Sequence, residues 1–183
     1  MDREEVLASV KENVNNKNLV KHMLATEAVM RAIAKKFGED EEEWGMTGLI
    51  HDIDAELTGA DMTSHAKLAA DIARELGASE EIAHAILCHN EKLGVTRETM
   101  LDKALFCADP VTGLVTAAAL VRPEKKLEPV VLKSIRKRFK EKAFAAGVNR
   151  EQIVLCSEIN LKLDEFIQIA LDAMKGIADD LDL

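Results

Sequence analysis

Histidine and aspartate residues on inward-facing helix surfaces carry the strongest chemical signal in this sequence. Four of the five histidines lie where the apolar periodicity turns side chains toward a core: His22, His51, His65 and His89. One such residue alone is typical of a hydrogen-bonded core imidazole. Burying all four with Asp52 and Asp109 unpaired would cost on the order of several kcal/mol per ionised group, whereas a bound cation satisfies them together. The pattern therefore indicates a metal centre.

The donor types limit which metal such a centre prefers. Imidazole and carboxylate without thiolate suit a divalent transition metal (Fe, Mn, Zn, Co or Ni) better than Mg alone, as one ion or two. Cys88, Cys107 and Cys156 show no C-x-x-C spacing, so we expect neither a disulfide framework nor a thiolate zinc site, but small core residues. His84 lies about 140° around its helix from His89, and we expect it at the surface or just outside the centre.

The elements that must position these residues are helices. Apolar residues recur every three or four positions and alternating strand patterns are missing, so the sequence predicts an all-α protein, and 183 residues suit one domain. Capping and turn residues predict a helix start at Asp2, Thr63, Ser79 and Thr96, and Gly38 as the end of the second helix. A new helix is predicted at Pro110, and three more follow at about 130–145, 150–160 and 164–179.

The charge distribution is uneven. The net charge is −9, but residues 121–150 carry ten Lys or Arg against three acids. Lys133, Arg136, Lys137 and Lys140 share one stripe of the predicted helix at 130–145, which is typical of a solvated face. The negative total, with one Trp and no Tyr, makes nucleic acid an unlikely partner. No signal peptide or apolar run near 20 residues is found, so we expect no membrane partner and a cytoplasmic location.

The order of the ligand-type residues resembles a known signature. His22, the adjacent His51-Asp52 in GLIHDID, and Asp109 in FCADP match the H…HD…D pattern of the HD superfamily of metal-dependent phosphohydrolases. His65 in SHAK and His89 in LCHN resemble the two extra histidines of its binuclear branch, which includes small bacterial phosphohydrolases acting on diadenosine tetraphosphate. The resemblance implies an HD-domain helical bundle, with a core at about 10–120 and a C-terminal helical extension at about 121–183.

The resemblance also implies roles for single residues. A first metal would bind His22, His51, Asp52 and Asp109, and Asp52 would bridge to a second metal on His65 and His89. The expected catalytic residues are Asp52, Asp54 and Glu56; the last two depart from the family pattern and supply carboxylates near the metals, where one could orient or deprotonate the attacking water. Solvated acids on a helix-ending loop are an equally open interpretation of Asp54 and Glu56. Ala55 follows Asp54 where many HD proteins have a lysine, which weakens the analogy to HD oxygenases.

These observations predict metal-dependent hydrolysis of a phosphoester or phosphoanhydride bond in a small phosphorylated metabolite or nucleotide, with water activated at the centre. Substrate contacts are expected from Lys92, Thr112 and Arg122; surface ion pairs or helix capping explain the same residues. Two alternatives stay open: a non-catalytic metal-stabilised sensor or partner-binding module, and an HD-type di-iron oxygenase.

Overall fold

Helices joined by turns and short irregular segments make up the described chain. The computed structural model describes residues 1–59 and 61–183, and no strand occurs within those ranges, so the all-α prediction is confirmed. The helices are α1 (Arg3–Asn13), α2 (Lys17–Phe37), α3 (Glu41–Ile50), α4 (Ala55–Thr58), α5 (Lys67–Glu75), α6 (Glu80–His89), α7 (Met100–Leu120), α8 (Leu132–Phe139), α9 (Arg150–Val154), α10 (Leu163–Gly176) and α11 (Ala178–Leu181). Short 3₁₀ turns follow α6 and α9.

Capping residues set most helix boundaries. Asp2 accepts hydrogen bonds from the backbone N–H groups of α1, Ser79 caps α6, and Gly38 ends α2 in the left-handed region at φ 75°. Two predicted starts are wrong. The helix expected from Thr63 begins at Lys67, because Asp61 binds the Thr63 N–H and holds a turn there. The helix expected from Thr96 is capped instead by Thr99 in a capping box.

Pro110 lies inside α7, which runs unbroken past it, so the predicted new helix at this residue is wrong. Proline removes one backbone hydrogen bond and disfavours a helix interior. Most of α7 is buried, including Phe106, Val111 and Leu114, and this tertiary packing outweighs the local preference. By length and composition α7 could cross a membrane, but 67% of its most apolar window is buried inside the protein, as in a core helix.

Close packing of α2 on α3 forms the centre of the bundle, and α7 and α10 pack against α2. A Cβ on Gly48 of α3 would lie 2.8 Å from the Glu27 nitrogen and from the Thr26 carbonyl oxygen of α2. The absence of a side chain at Gly48 therefore lets the two helix backbones touch.

The C-terminal third covers α7 and α2 with shorter helices. The helix predicted at 130–145 ends at Phe139, and the predicted 150–160 helix is α9 followed by a 3₁₀ turn. Arg150 donates to the carbonyl oxygens of Phe139 (2.8 Å), Glu141 (3.2 Å) and Val148 (3.2 Å), which replaces helical hydrogen bonding in the intervening loop.

Candidate metal centre

Six residues from separate parts of the chain converge at one place. Their positions are His22 within α2, His51 and Asp52 just after α3, His65 in the turn before α5, His89 at the end of α6, and Asp109 in the middle of α7. The four imidazole rings are close neighbours: the distance between ring centroids is 5.2 Å for His22 and His51, 5.1 Å for His51 and His89, and 5.0 Å for His65 and His89. The fold thus brings together every residue expected as a metal ligand.

The Asp52 carboxylate divides this cluster into two halves. Its Oδ2 lies 3.6 Å from His22 Nε2 and 3.5 Å from His51 Nε2. Its Oδ1 lies 3.4 Å from His65 Nε2 and 3.3 Å from His89 Nε2. Asp109 Oδ1 belongs to the first half, 3.2 Å from His22 Nε2. These separations match the distances between ligands that share one cation, and the two oxygens of Asp52 face different groups of rings.

Each imidazole ring has Nε2 toward the cluster and is held in place by a hydrogen bond at Nδ1. His51 Nδ1 lies 2.8 Å from the Gly48 carbonyl oxygen, and His89 Nδ1 lies 2.5 Å from the Ile86 carbonyl oxygen. Since a carbonyl only accepts, the proton sits on Nδ1 and the Nε2 lone pair points into the cluster. Both histidines are three residues after their acceptor, so the last helical turn itself sets the ring orientation.

Thr112 orients the His22 ring in the same way, by a hydrogen bond at Nδ1. Its hydroxyl donates to the Asp109 carbonyl oxygen at 2.8 Å, and its oxygen accepts from His22 Nδ1 at 2.9 Å. Thr112 is buried and these contacts use its hydroxyl. The substrate contact expected of Thr112 therefore has to be revised: it orients His22.

Asp54 holds His65. It is fully buried, and its Oδ1 accepts from His65 Nδ1 at 2.7 Å. Its Oδ2 accepts from the backbone N–H groups of Ala66 at 2.8 Å and Ala69 at 3.0 Å. Ala66 adopts φ 74°, a left-handed conformation that directs its N–H to this carboxylate. With both oxygens occupied, the expected role of Asp54 on attacking water is revised to positioning His65.

Glu56 and Arg122 lie away from the cluster. The Glu56 carboxylate is exposed and accepts from the backbone N–H of Asn15 at 3.1 Å and of Asn16 at 2.6 Å. Arg122 follows the end of α7, where it lines a surface pocket with Ser134 and Arg138. The structure thus gives no support to the water-activating role expected of Glu56 or the substrate contact expected of Arg122.

The donor set fits a divalent cation. His51 Nε2 is buried without a hydrogen-bond partner among the described residues and faces Asp52 and Asp109. An orphaned buried nitrogen costs about 1–3 kcal/mol, and a cation in this position would satisfy it. Four imidazole nitrogens and two carboxylates are the ligands that divalent transition metals accept.

Electrostatics in the cluster also favour positive charge. Burial lowers the pKa of His65, but hydrogen bonds to Asp52 and Asp54 outweigh it and raise that pKa to about 10. Burial opposes protonation of His22 and His89 as well, yet Asp109 and Asp52 respectively raise their pKa values. Burial alone dominates at His51 and lowers its pKa. The two carboxylates therefore collect protons on neighbouring rings when no metal neutralises them.

Metal binding is expected to strengthen as the pH rises from about 6.5 to about 10, because metal and protons compete for the same ring nitrogens. A histidine with a raised pKa stabilises the metal-free fold below its unfolded pKa of about 6.5, and this stabilisation is lost as the pH rises through its folded value. Metal-free protein should therefore lose stability over the same window. Metal titrations and denaturant unfolding at several pH values test this; affinity that falls with pH would contradict it.

Replacing Asp54 with Asn is expected to reduce metal affinity or activity about 10- to 100-fold, the usual effect of losing the partner that orients a metal-bound histidine. The amide would leave one acceptor for three donors around it. Glu56→Gln is the matched control, since Glu56 is exposed and outside the cluster. Equal losses in the two variants, measured by metal titration, would contradict the positioning role.

A cleft of about 280 Å³ opens over the cluster. It is lined by Asp52, Met62, His65, His89, Asn90, Glu91, Lys92, Asp109 and Gln152. Lys92 is one of these lining residues and its amine has no ion pair among the described residues, while its contact with substrate stays a prediction. Sequence reasoning missed Gln152, since it follows Asp109 by 43 positions in a separate helix and no motif marks it. It also missed Asn90, which donates to the Met62 and His65 carbonyl oxygens.

A second cavity of about 340 Å³ lies on the other side of His22. Its walls are formed by Asn18, Lys21, Gly113, Thr116, Leu120 and the C-terminal residues 181–183. Gly113, Thr116 and Leu120 continue along the face of α7 that carries Asp109. His22 therefore borders both the ligand cluster and a largely apolar space.

Comparison with known proteins identifies a family and a set of relatives. The family model described as HD domain matches residues 19–114. Ribonuclease Y of Lawsonia intracellularis is 28% identical over 169 residues, which are 90% of this chain and 32% of that protein. Ribonuclease Y of Thermotoga petrophila is 30% identical over 175 residues, 90% of this chain and 33% of that protein. The chain spans about a third of the length of these relatives. No solved structure matches it significantly.

One expectation is overturned by these relatives. The sequence was expected to make nucleic acid an unlikely partner, and this is wrong, because the relatives are named as ribonucleases. Net charge is an average over the whole chain, whereas binding at a metal centre depends on the few groups around one phosphate.

Proposed function

The chain belongs to the HD domain family, and from that premise we propose that it is a metal-dependent phosphodiesterase that hydrolyses RNA. The observation that carries the proposal is the division of the Asp52 carboxylate between two sets of ring nitrogens. Such a pair of neighbouring cation sites suits displacement at phosphorus, where attacking and leaving oxygens both need stabilisation. The ribonuclease relatives supply the substrate class.

We propose two ions drawn from Fe, Mn, Zn, Co or Ni. His22, His51 and Asp109 would hold one, His65 and His89 the other, with Asp52 shared. When bound, such ions lower the pKa of water and neutralise charge on phosphoryl oxygens. The protein's own contribution is to fix the ligands, since Gly48, Ile86, Thr112 and Asp54 set the four rings before substrate arrives.

The cleft supplies the contacts to RNA. Lys92 carries an unpaired positive charge at its rim and would bind a phosphate next to the one that is cleaved. Gln152 offers an amide that can donate or accept toward a sugar or base. We further propose that residues 10–120 form the catalytic core and that the extension 121–183 completes the cleft through Gln152.

Lys92→Ala is expected to raise KM for an oligoribonucleotide about tenfold with little change in kcat, because it removes a charged contact to bound substrate. Lys137→Ala on α8 removes the same charge from a helix that does not line the cleft and should leave KM unchanged. Steady-state kinetics on both variants test the assignment. Equal increases in KM would show that only the overall charge matters.

The proposed function is tested by supplying the purified chain with Mn, Co, Fe, Zn, Ni or Mg and an end-labelled oligoribonucleotide. We expect cleavage that depends on added transition metal and that is lost in His51→Ala. A deoxyribonucleotide of the same sequence and a dinucleoside polyphosphate serve as comparison substrates. Absence of RNA cleavage with every metal, in protein shown to bind metal, would contradict the proposal and favour the non-catalytic alternative.

A further inference from the structure

A second group of metal-ligand side chains lies between α6 and α7. His84 and Cys88 are four residues apart on α6 and therefore on one face of that helix. Asp102 extends toward them from the first turn of α7. None of the three belongs to the central cluster. Sequence reasoning missed this group because its ligands come from two helices and follow no C-x-x-C spacing.

The distances between the donor atoms match those of a tetrahedral cation site. His84 Nδ1 lies 3.1 Å from Asp102 Oδ1 and 3.5 Å from Cys88 Sγ. All the ligand atoms lie within 4.8 Å of one another. Zinc bonds of about 2.3 Å to sulfur and about 2.0–2.2 Å to nitrogen or oxygen place tetrahedral ligand atoms about 3.4–3.6 Å apart. Only small shifts would bring the three donors around one ion.

Asp102 is fixed before any ion arrives. Its Oδ2 accepts from the backbone N–H groups of Glu98 at 2.8 Å and Thr99 at 2.9 Å, as part of the α7 capping box. His84 Nδ1 lies 3.1 Å from both carboxylate oxygens, and Oδ1 is the one that accepts no backbone hydrogen bond. Asp102 is fully buried, whereas the His84 side chain is 34% exposed, so an ion could enter past the ring.

We propose that His84, Cys88 and Asp102 bind a zinc-like divalent cation, separate from the ions of the central cluster. The negative charges of one thiolate and one carboxylate together balance the charge of a divalent cation, and the imidazole binds as a neutral ligand. Binding releases one proton, from the Cys88 thiol, which otherwise donates to the Thr96 carbonyl oxygen, while the neutral His84 ring binds through Nδ1 and carries its proton on Nε2. A solvent molecule takes the fourth position. The ion would cross-link α6, which ends in His89, and α7, which carries Asp109.

Cobalt(II) absorption distinguishes this site from the central one. Thiolate-bound cobalt gives a sulfur-to-metal charge-transfer band in the near ultraviolet, and the central cluster contains only nitrogen and oxygen donors. We expect titration of the full chain with cobalt to produce this band, and Zn²⁺ to abolish it by displacement. Asp52→Asn protein should keep the band, which makes the result independent of the proposed RNA hydrolysis.

Cysteine variants provide the control. Cys88→Ser should lose the band, whereas Cys107→Ser and Cys156→Ser should keep it, since those cysteines lie in no candidate ligand group among the described residues. His84→Gln alters a partly exposed side chain and should weaken the cobalt binding that gives this band about tenfold or more, even if Cys88→Ser fails to fold. No band in the unaltered protein, or an unchanged band in His84→Gln, would overturn the proposal.

Discussion

Asp52→Asn is expected to lower the rate of RNA hydrolysis about a thousandfold or more, which corresponds to losing several kcal/mol of metal-derived transition-state stabilisation. Both carboxylate oxygens face ring nitrogens, at 3.5–3.6 Å on one side and 3.3–3.4 Å on the other. An amide of the same shape can present an oxygen to only one side, and it carries no charge. Both halves of the centre should therefore lose affinity for metal.

The measurements for this variant are kcat/KM on an oligoribonucleotide and the metal content of the purified protein. Asp172→Asn is the matched control, because Asp172 is an exposed aspartate on α10 whose one side-chain hydrogen bond among the described residues is to Gln168. We expect the control to resemble the unaltered protein in both measurements. Asp52→Asn protein with full metal content and undiminished hydrolysis would show that Asp52 is not a shared ligand.

Gly48→Ala is expected to destabilise the fold by about 2–3 kcal/mol, toward the upper part of the range for overpacked interiors. The new Cβ would meet backbone atoms of Glu27 and Thr26 at 2.8 Å, and a helix backbone cannot move aside locally. The separation of α2 and α3 would increase, and with it the distance between His22 and His51. Denaturant unfolding measures the loss of stability.

Gly45→Ala, three residues earlier on α3, is the control for Gly48→Ala. It adds the same methyl group at a place where the nearest atoms belong to a side chain and not to a helix backbone. The three atoms nearest its Cβ would all belong to the Arg31 side chain, with Nε at 2.6 Å. Arg31 is a flexible side chain that can rotate away at the expense of its ion pairs with the exposed Glu42 and with the buried Glu27, which keeps its ion pair with Arg3. We expect Gly45→Ala to be clearly milder than Gly48→Ala. Equal losses would contradict the view that helix contact at Gly48 sets this part of the site.

Helical periodicity and the order of His and Asp residues were sufficient to predict an all-α protein and the residues that gather at its centre. They could not predict which side chains hydrogen-bond to those residues and orient them. Whether Asp54 contacts water or His65 depends on the left-handed backbone of Ala66, which no local propensity favours. Thr112 has the residue type of a phosphate contact, and only the crossing of α2 and α7 brings it to His22.

Other errors came from treating local signals as independent of tertiary packing. Pro110 is a typical helix start in isolation, but α7 gains more by staying continuous in the core. The net charge of the chain is an average over 183 residues and does not describe the field around Lys92 at one cleft. The helix-start preference of proline and the net charge both describe the sequence correctly. Neither determines the local backbone structure or the local electrostatic field in the folded protein.

Anomalous diffraction from crystals of manganese-loaded protein is the most direct test of the central claim. The structure predicts two peaks that share Asp52, one beside His22, His51 and Asp109 and the other beside His65 and His89. Manganese bound elsewhere, with no peak within coordination distance of Asp52, would contradict a metal centre at this place and with it the proposed hydrolysis.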